Sequence, residues 1–214
     1  MKAAAPLAVP LAASLAASLV LLAVFCALPA SAQDGRVSDA DAVRALMRGF
    51  NPRGQAGLSR LLQDEVQAFC SREGPVKDAK AARALERRQL ARVKYPAGGM
   101  LGDWRRGERV AQSGVGKQFS DDPAAPAGGN CYACHQLSGA ELSYGTIGPS
   151  LRNFGKTRGS GEAAQRYAYS KIYNAKAYSV CSNMPRFGEN GILTEEQIRD
   201  LVSLLLDPDS PVNK

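Results

Sequence analysis

Five residues constrain this chain more than any others: Cys131-Tyr132-Ala133-Cys134-His135, the pattern C-x-x-C-H. Two thiols three residues apart on one helical turn reach the two vinyl groups along one edge of a porphyrin. The residue after them places its imidazole under the iron, so one turn supplies covalent attachment and an axial ligand, as in a c-type haem site. Two other uses of paired cysteines compete. A thioredoxin-like C-x-x-C follows a strand and opens a helix, but the flank here is Ala127-Gly128-Gly129-Asn130, without strand pattern. A zinc knuckle needs a second ligand pair, and the chain has neither a second C-x-x-C nor a second His. The motif therefore predicts one haem c per chain, bound through Cys131 and Cys134, with His135 on the iron.

The single His also excludes bis-histidine ligation within this chain, so the sixth ligand must be of another type. Of the methionines, Met47 falls at helical spacing on an apolar face and reads as packing, and Met100 lies in a Gly-rich turn ahead of the attachment site. Met184 stands 49 residues after His135, inside Cys181-Ser182-Asn183-Met184-Pro185-Arg186-Phe187-Gly188. Pro185 lacks an N–H and biases Met184 towards extended backbone, which suits a loop laid over the open face of a haem. Met184 is the expected distal ligand, against the alternative of a gap-filling core methionine.

The rest of the sequence supplies the setting. Lys2 is the only charge in residues 1–32, an apolar run occupies residues 11–28, and Ala30-Ser31-Ala32 closes it with a small-x-small site. This predicts a secretory signal peptide, hence a periplasmic protein without a membrane anchor after cleavage. Phe25 ahead of Cys26 argues against lipidation at that cysteine. The remaining 182 residues carry six surplus positive charges but no block of five or six Lys/Arg, so a protein partner is a better match than nucleic acid. Cys70 and Cys181 are the only thiols left after haem attachment, and in an oxidising compartment they are expected to form a disulfide. The alternative is a buried thiol at Cys70 and an unpaired Cys181.

No stretch alternates at period two for long enough to build a sheet, so the expected fold is all-α. Residues 33–98 are expected to form a helical extension. Ser38 caps a helix with Val43, Leu46, Met47 and Phe50 on one face. A second helix shows Leu58, Leu61, Leu62, Val66, Phe69 and Cys70 and stops at Gly74-Pro75. A third, residues 76–95, is crowded with Lys77, Lys80, Arg83, Arg87, Arg88, Arg92 and Lys94, either a solvated face or a docking surface for an acidic partner. Residues 99–214 are expected to form a second domain. It opens with a helix from Trp104 to Gln112 behind Asp103 and closes with one introduced by the capping box Thr194-Glu195-Glu196-Gln197, with Ile198, Leu201, Val202 and Leu205 on its apolar stripe.

With Gly148-Pro149-Ser150-Leu151 between the two ligands, this half resembles a class I cytochrome c domain. The resemblance implies that the Pro149 carbonyl accepts the Nδ1–H of His135, and that the first and last helices cross closely at Gly107. The Met184 loop, the helix from Leu193 to Val202 and the tail Leu206-Asp207-Pro208-Asp209-Ser210-Pro211-Val212-Asn213 are together similar to the SoxX family, small cytochrome subunits of SoxAX complexes in thiosulfate oxidation. That similarity implies a heterodimer with a SoxA-like haem subunit, an L-cysteine S-thiosulfotransferase that conjugates thiosulfate oxidatively to the SoxYZ carrier. This chain would be its electron-accepting subunit, passing electrons to a downstream acceptor cytochrome, with no bond-making residue of its own. A free-standing periplasmic shuttle cytochrome and a haem with a displaceable sixth ligand remain as alternatives.

Overall fold

The computed structural model describes residues 37–71 and 78–214, so the expected signal peptide and the Gly74-Pro75 helix stop lie outside the described residues. Among the described residues there is no strand, only an isolated bridge between Arg53 and Ala56. The helices are α1 (Asp39–Gly49), α2 (Glu65–Cys70), α3 (Ala79–Ala91), α4 (Trp104–Gln112), α5 (Phe154–Arg158), α6 (Glu162–Tyr173) and α7 (Glu195–Leu206). The chain divides into two compact units, Met1–Ala42 and Val43–Lys214, and the second carries the cysteine motif and Met184. No described helix is long and apolar enough to cross a membrane.

The core is organised by α7, whose Ile198, Leu201, Val202, Leu204, Leu205 and Leu206 are all buried. Full burial of such a side chain is worth about 1.5–3 kcal/mol, against roughly 1 kcal/mol or less for an exposed ion pair, so this stripe sets the arrangement of its neighbours. Its most extensive partner is α4. Gly107 makes the crossing possible, because a Cβ there would overlap the Asp200 carbonyl. Asp200, buried at the same crossing, accepts two hydrogen bonds of 2.8 Å from the Arg106 guanidinium and one of 2.7 Å from the Asp103 N–H. Its charge is thus paired at the point where burial would otherwise be costly. Asp103 also caps α4 by accepting from the Arg105 N–H at 2.7 Å. At the far end of α7 the buried Asn213 staples the C-terminus, accepting from the Gly155 N–H at 2.9 Å and donating to the Leu205 carbonyl at 3.0 Å.

The segment ahead of α4 differs from expectation in three places. The apolar face of α1 is not buried: no residue of the helix is fully buried, Val43, Leu46 and Phe50 are exposed and Met47 is half-buried. The expected continuous helix from Leu58 to Cys70 is two pieces, a 3-10 turn Leu58–Leu61 and α2. Asp64 causes the break: its carboxylate accepts from the Val66 and Gln67 N–H groups, and the Gln67 side chain returns the bond to Asp64 N–H, so a helix starts afresh there. Finally, α3 buries more than its basic sequence suggests. Leu85 joins Val66 and Val180 in a second, small core, and Gln89 accepts a buried hydrogen bond of 3.0 Å from Asn174. Lys80, Arg83 and Arg87 are solvent-exposed.

Candidate haem site

The C-x-x-C-H segment is delivered by a short stretch docked on the C-terminal end of α4, where Gly129 N–H donates to the Val110 carbonyl at 2.8 Å and Asn130 N–H to the Ser113 carbonyl at 2.9 Å. Asn130 takes the left-handed conformation (φ 46°) that turns the chain into the 3-10 turn Cys131–Ala133. His135 N–H then bonds the Cys131 carbonyl at 2.9 Å, which holds the first cysteine and the histidine on one turn. The segment 145–151 runs beside it through three hydrogen bonds: Gly145 N–H to the Tyr132 carbonyl, Gly148 N–H to the Cys134 carbonyl and Leu151 N–H to the Gln136 carbonyl, at 2.7–2.9 Å. Both glycines are needed, because a Cβ at 145 would overlap the Ala133 carbonyl and one at 148 would overlap the imidazole ring.

His135 Nδ1 lies 2.7 Å from the Pro149 carbonyl oxygen. A carbonyl only accepts, so Nδ1 carries the proton and Nε2 is left with its lone pair for a metal. His135 and Met184 line one cavity, together with Cys131, Leu137, Leu151, Ile172, Phe187 and the α7 residues Leu201, Leu204 and Leu205. Cys134, half-buried, sits on the same turn, and neither Cys131 nor Cys134 is in a disulfide. Burial pushes the Cys131 thiol up to about 12, as an apolar enclosure does to any thiol. Met184 N–H donates to the Ser182 hydroxyl at 3.1 Å in a loop without regular structure. Met47 and Met100 do not line the cavity; Met100 is buried in the main core. A paired thiol turn, an imidazole with a fixed tautomer and a thioether, around an otherwise apolar space, fit haem c. No group of three or more His, Cys, Asp or Glu elsewhere among the described residues could hold a metal ion.

Three features escape sequence reading. Glu141 Oε2 accepts from the Leu137 and Ser138 N–H groups at 2.8 and 3.1 Å, clamping the backbone just after the histidine. Arg186 pairs with Asp64 at 2.5 Å, joining the Met184 loop to the N-cap of α2. Most of the apolar lining comes from α6, α7 and Phe187, far from the motif in sequence. In addition, Cys70 and Cys181 are bonded, with sulfurs 2.11 Å apart.

This helical fold, without strands among the described residues, and this site define a class I cytochrome c. Residues 115–207 match the family model for cytochrome c, so this part of the chain is a cytochrome c domain. Over 159 residues, covering 71% of this chain and 73% of the relative, it is 39% identical to an uncharacterized lipoprotein of Aquifex aeolicus (strain VF5).

Proposed function

We propose that the chain is a periplasmic monohaem cytochrome that takes up electrons as the SoxX-like subunit of a SoxAX-type L-cysteine S-thiosulfotransferase. The observation that carries the electron-transfer reading is the cavity shared by His135, with Nδ1 held by Pro149, and Met184. With both side chains committed to iron, no position is left for substrate, and Cys70 and Cys181 are engaged with each other. When bound, haem c supplies a one-electron couple whose potential a Met ligand raises relative to all-nitrogen ligation. The chain's residues do the rest: Cys131 and Cys134 anchor, His135 and Met184 ligate, and the α6–α7 wall excludes water.

The narrower reading rests on the sequence of the Met184 loop and the C-terminal tail. Coupling thiosulfate to a carrier thiol forms one S–S bond and releases one proton and two electrons. The bond forms on the partner, and this subunit removes the electrons one at a time. The signal-peptide pattern supports export, and a relative described as a lipoprotein agrees with it.

Two experiments test the two levels. Met184→Ala should abolish the weak sulfur-to-ferric-iron absorption band and let added ligands bind the iron; survival of the band would return Met100 or Met47 to consideration. Co-expression with a SoxA-like haem protein should give a co-eluting complex whose haem is reduced by thiosulfate plus SoxYZ. A chain that elutes alone and is reduced only by small carriers is a free-standing shuttle.

A further inference from the structure

Resting on Met184 as the distal ligand, we infer that helix α2 straps the Met184 loop at two points, which makes Cys70, Asp64 and Arg186 positioning residues for the iron–thioether bond. The two attachments come from opposite ends of one short helix. Asp64 is its N-cap and Cys70 its last residue, and six residues at a rise of about 1.5 Å place them roughly 9 Å apart along the axis. On the loop they bracket the methionine. Cys181, bonded to Cys70, stands three residues before Met184, and Arg186, paired with Asp64 at 2.5 Å, stands two residues after it. Arg186 is largely covered, with 12% of its side chain exposed, while Asp64 is 40% exposed, so the pair is shielded from one side only.

The strap itself is anchored. Val66 on α2 and Leu85 on α3 enclose Val180, next to Cys181, in the second core. Glu86 on α3 accepts from the Val180 N–H at 3.1 Å, and Lys176 Nζ donates to the Ser182 carbonyl. Residues 178–194 contain no helix, so without these ties the loop would have to be ordered each time the thioether returned to the metal. Ordering it in advance lowers that cost, which is the general basis of preorganisation. The N-terminal extension is thereby coupled to the ligand set although none of its residues lines the cavity.

The test uses the full haem-loaded chain in three forms: wild type, Cys70→Ser/Cys181→Ser, and Asp64→Asn. Imidazole binding to the ferric protein is followed by loss of the sulfur-to-iron band. The double-serine form should bind imidazole at least about tenfold faster, the change that corresponds to loss of about 1.4 kcal/mol of local opening free energy. Asp64→Asn should give a smaller change in the same direction, roughly two- to fivefold, as for a partly shielded ion pair. If both forms bind imidazole at the wild-type rate while unfolding more easily, the extension stabilises the fold only and the proposal is overturned. Should the double-serine form fail to accumulate with haem, Asp64→Asn decides alone. A band that survives in Met184→Ala defeats the ligand assignment instead, a result separable from wild-type behaviour in the strap variants.

Discussion

A single hydrogen atom on the α-carbon of residue 148 gives the imidazole of His135 its place, since the nearest atoms to a Cβ there are three atoms of that ring. Gly148→Ala must therefore push the ring away from the Pro149 carbonyl or open the backbone bond from Gly148 N–H to the Cys134 carbonyl. We expect a loss of about 1–3 kcal/mol, the range for overpacking, together with a lower yield of haem-loaded protein. Denaturant midpoints of the loaded variant check this. Gly98→Ala is the control, because nothing lies within 4 Å of a Cβ at that position, and it should stay within about 0.5 kcal/mol of wild type.

At the scale of elements, α2 shows how one carboxylate can serve two structures. Burial alone would raise the Asp64 carboxyl, but the hydrogen bond from Gln67 N–H and the Arg186 guanidinium outweigh it and hold the group below its ordinary value. A carboxyl lowered on folding contributes stability that is fully present above its unfolded pKa, near 4, and is lost as pH falls through the lower folded value. The Asp64 side chain remains partly exposed, so screening keeps this contribution to roughly 1 kcal/mol or less. Unfolding midpoints of wild type and Asp64→Asn should differ at pH 7, and the difference should begin to shrink as pH falls below about 4 and close only below the lowered folded value. A difference that does not shrink at all between about pH 4 and about pH 2 would assign the effect to the neutral cap alone.

The same helix marks where sequence reading works and where it stops. Helix α7 is legible because cap and periodicity agree, Thr194 starting it and an apolar stripe coming after, while α4 is announced by its cap Asp103. Position 64 defeats the pattern, since Leu58, Leu61, Leu62 and Val66 keep helical spacing across a residue that caps a new helix, and Leu62 is left exposed. Gln89 looks solvated within a basic helix because its partner Asn174 is 85 residues away. At the site, the attachment turn and the methionine alternatives could be weighed from local spacing. The Asp64–Arg186 pair, 122 residues apart in sequence, and the Glu141 clamp have no local signature, and nothing about α1 forecasts that Val43, Leu46 and Phe50 on its apolar face stay exposed.

For the whole molecule, the bond between Cys70 and Cys181 closes a covalent ring with a sequence separation of 111, and the ring contains Cys131, Cys134 and His135 but not Met184. The loop that includes Phe119 is exposed, with Phe119 50% accessible, so a protease specific for aromatic residues can cut inside the ring. A chain cut once after Phe119 remains one molecule, because the amino-terminal piece is held through Cys70 and the other piece carries both Cys181 and the attachment turn. A non-reducing gel should show haem stain at nearly full length, and a reducing gel should show it only in the fragment of residues 120–214. Haem stain released from full length without reductant would mean that the ring is open. A nick of this kind severs the backbone between the extension and the haem turn yet leaves α2 fastened to the loop it braces, so such a cytochrome can tolerate proteolytic wear in an exposed loop without shedding the segment that steadies its methionine.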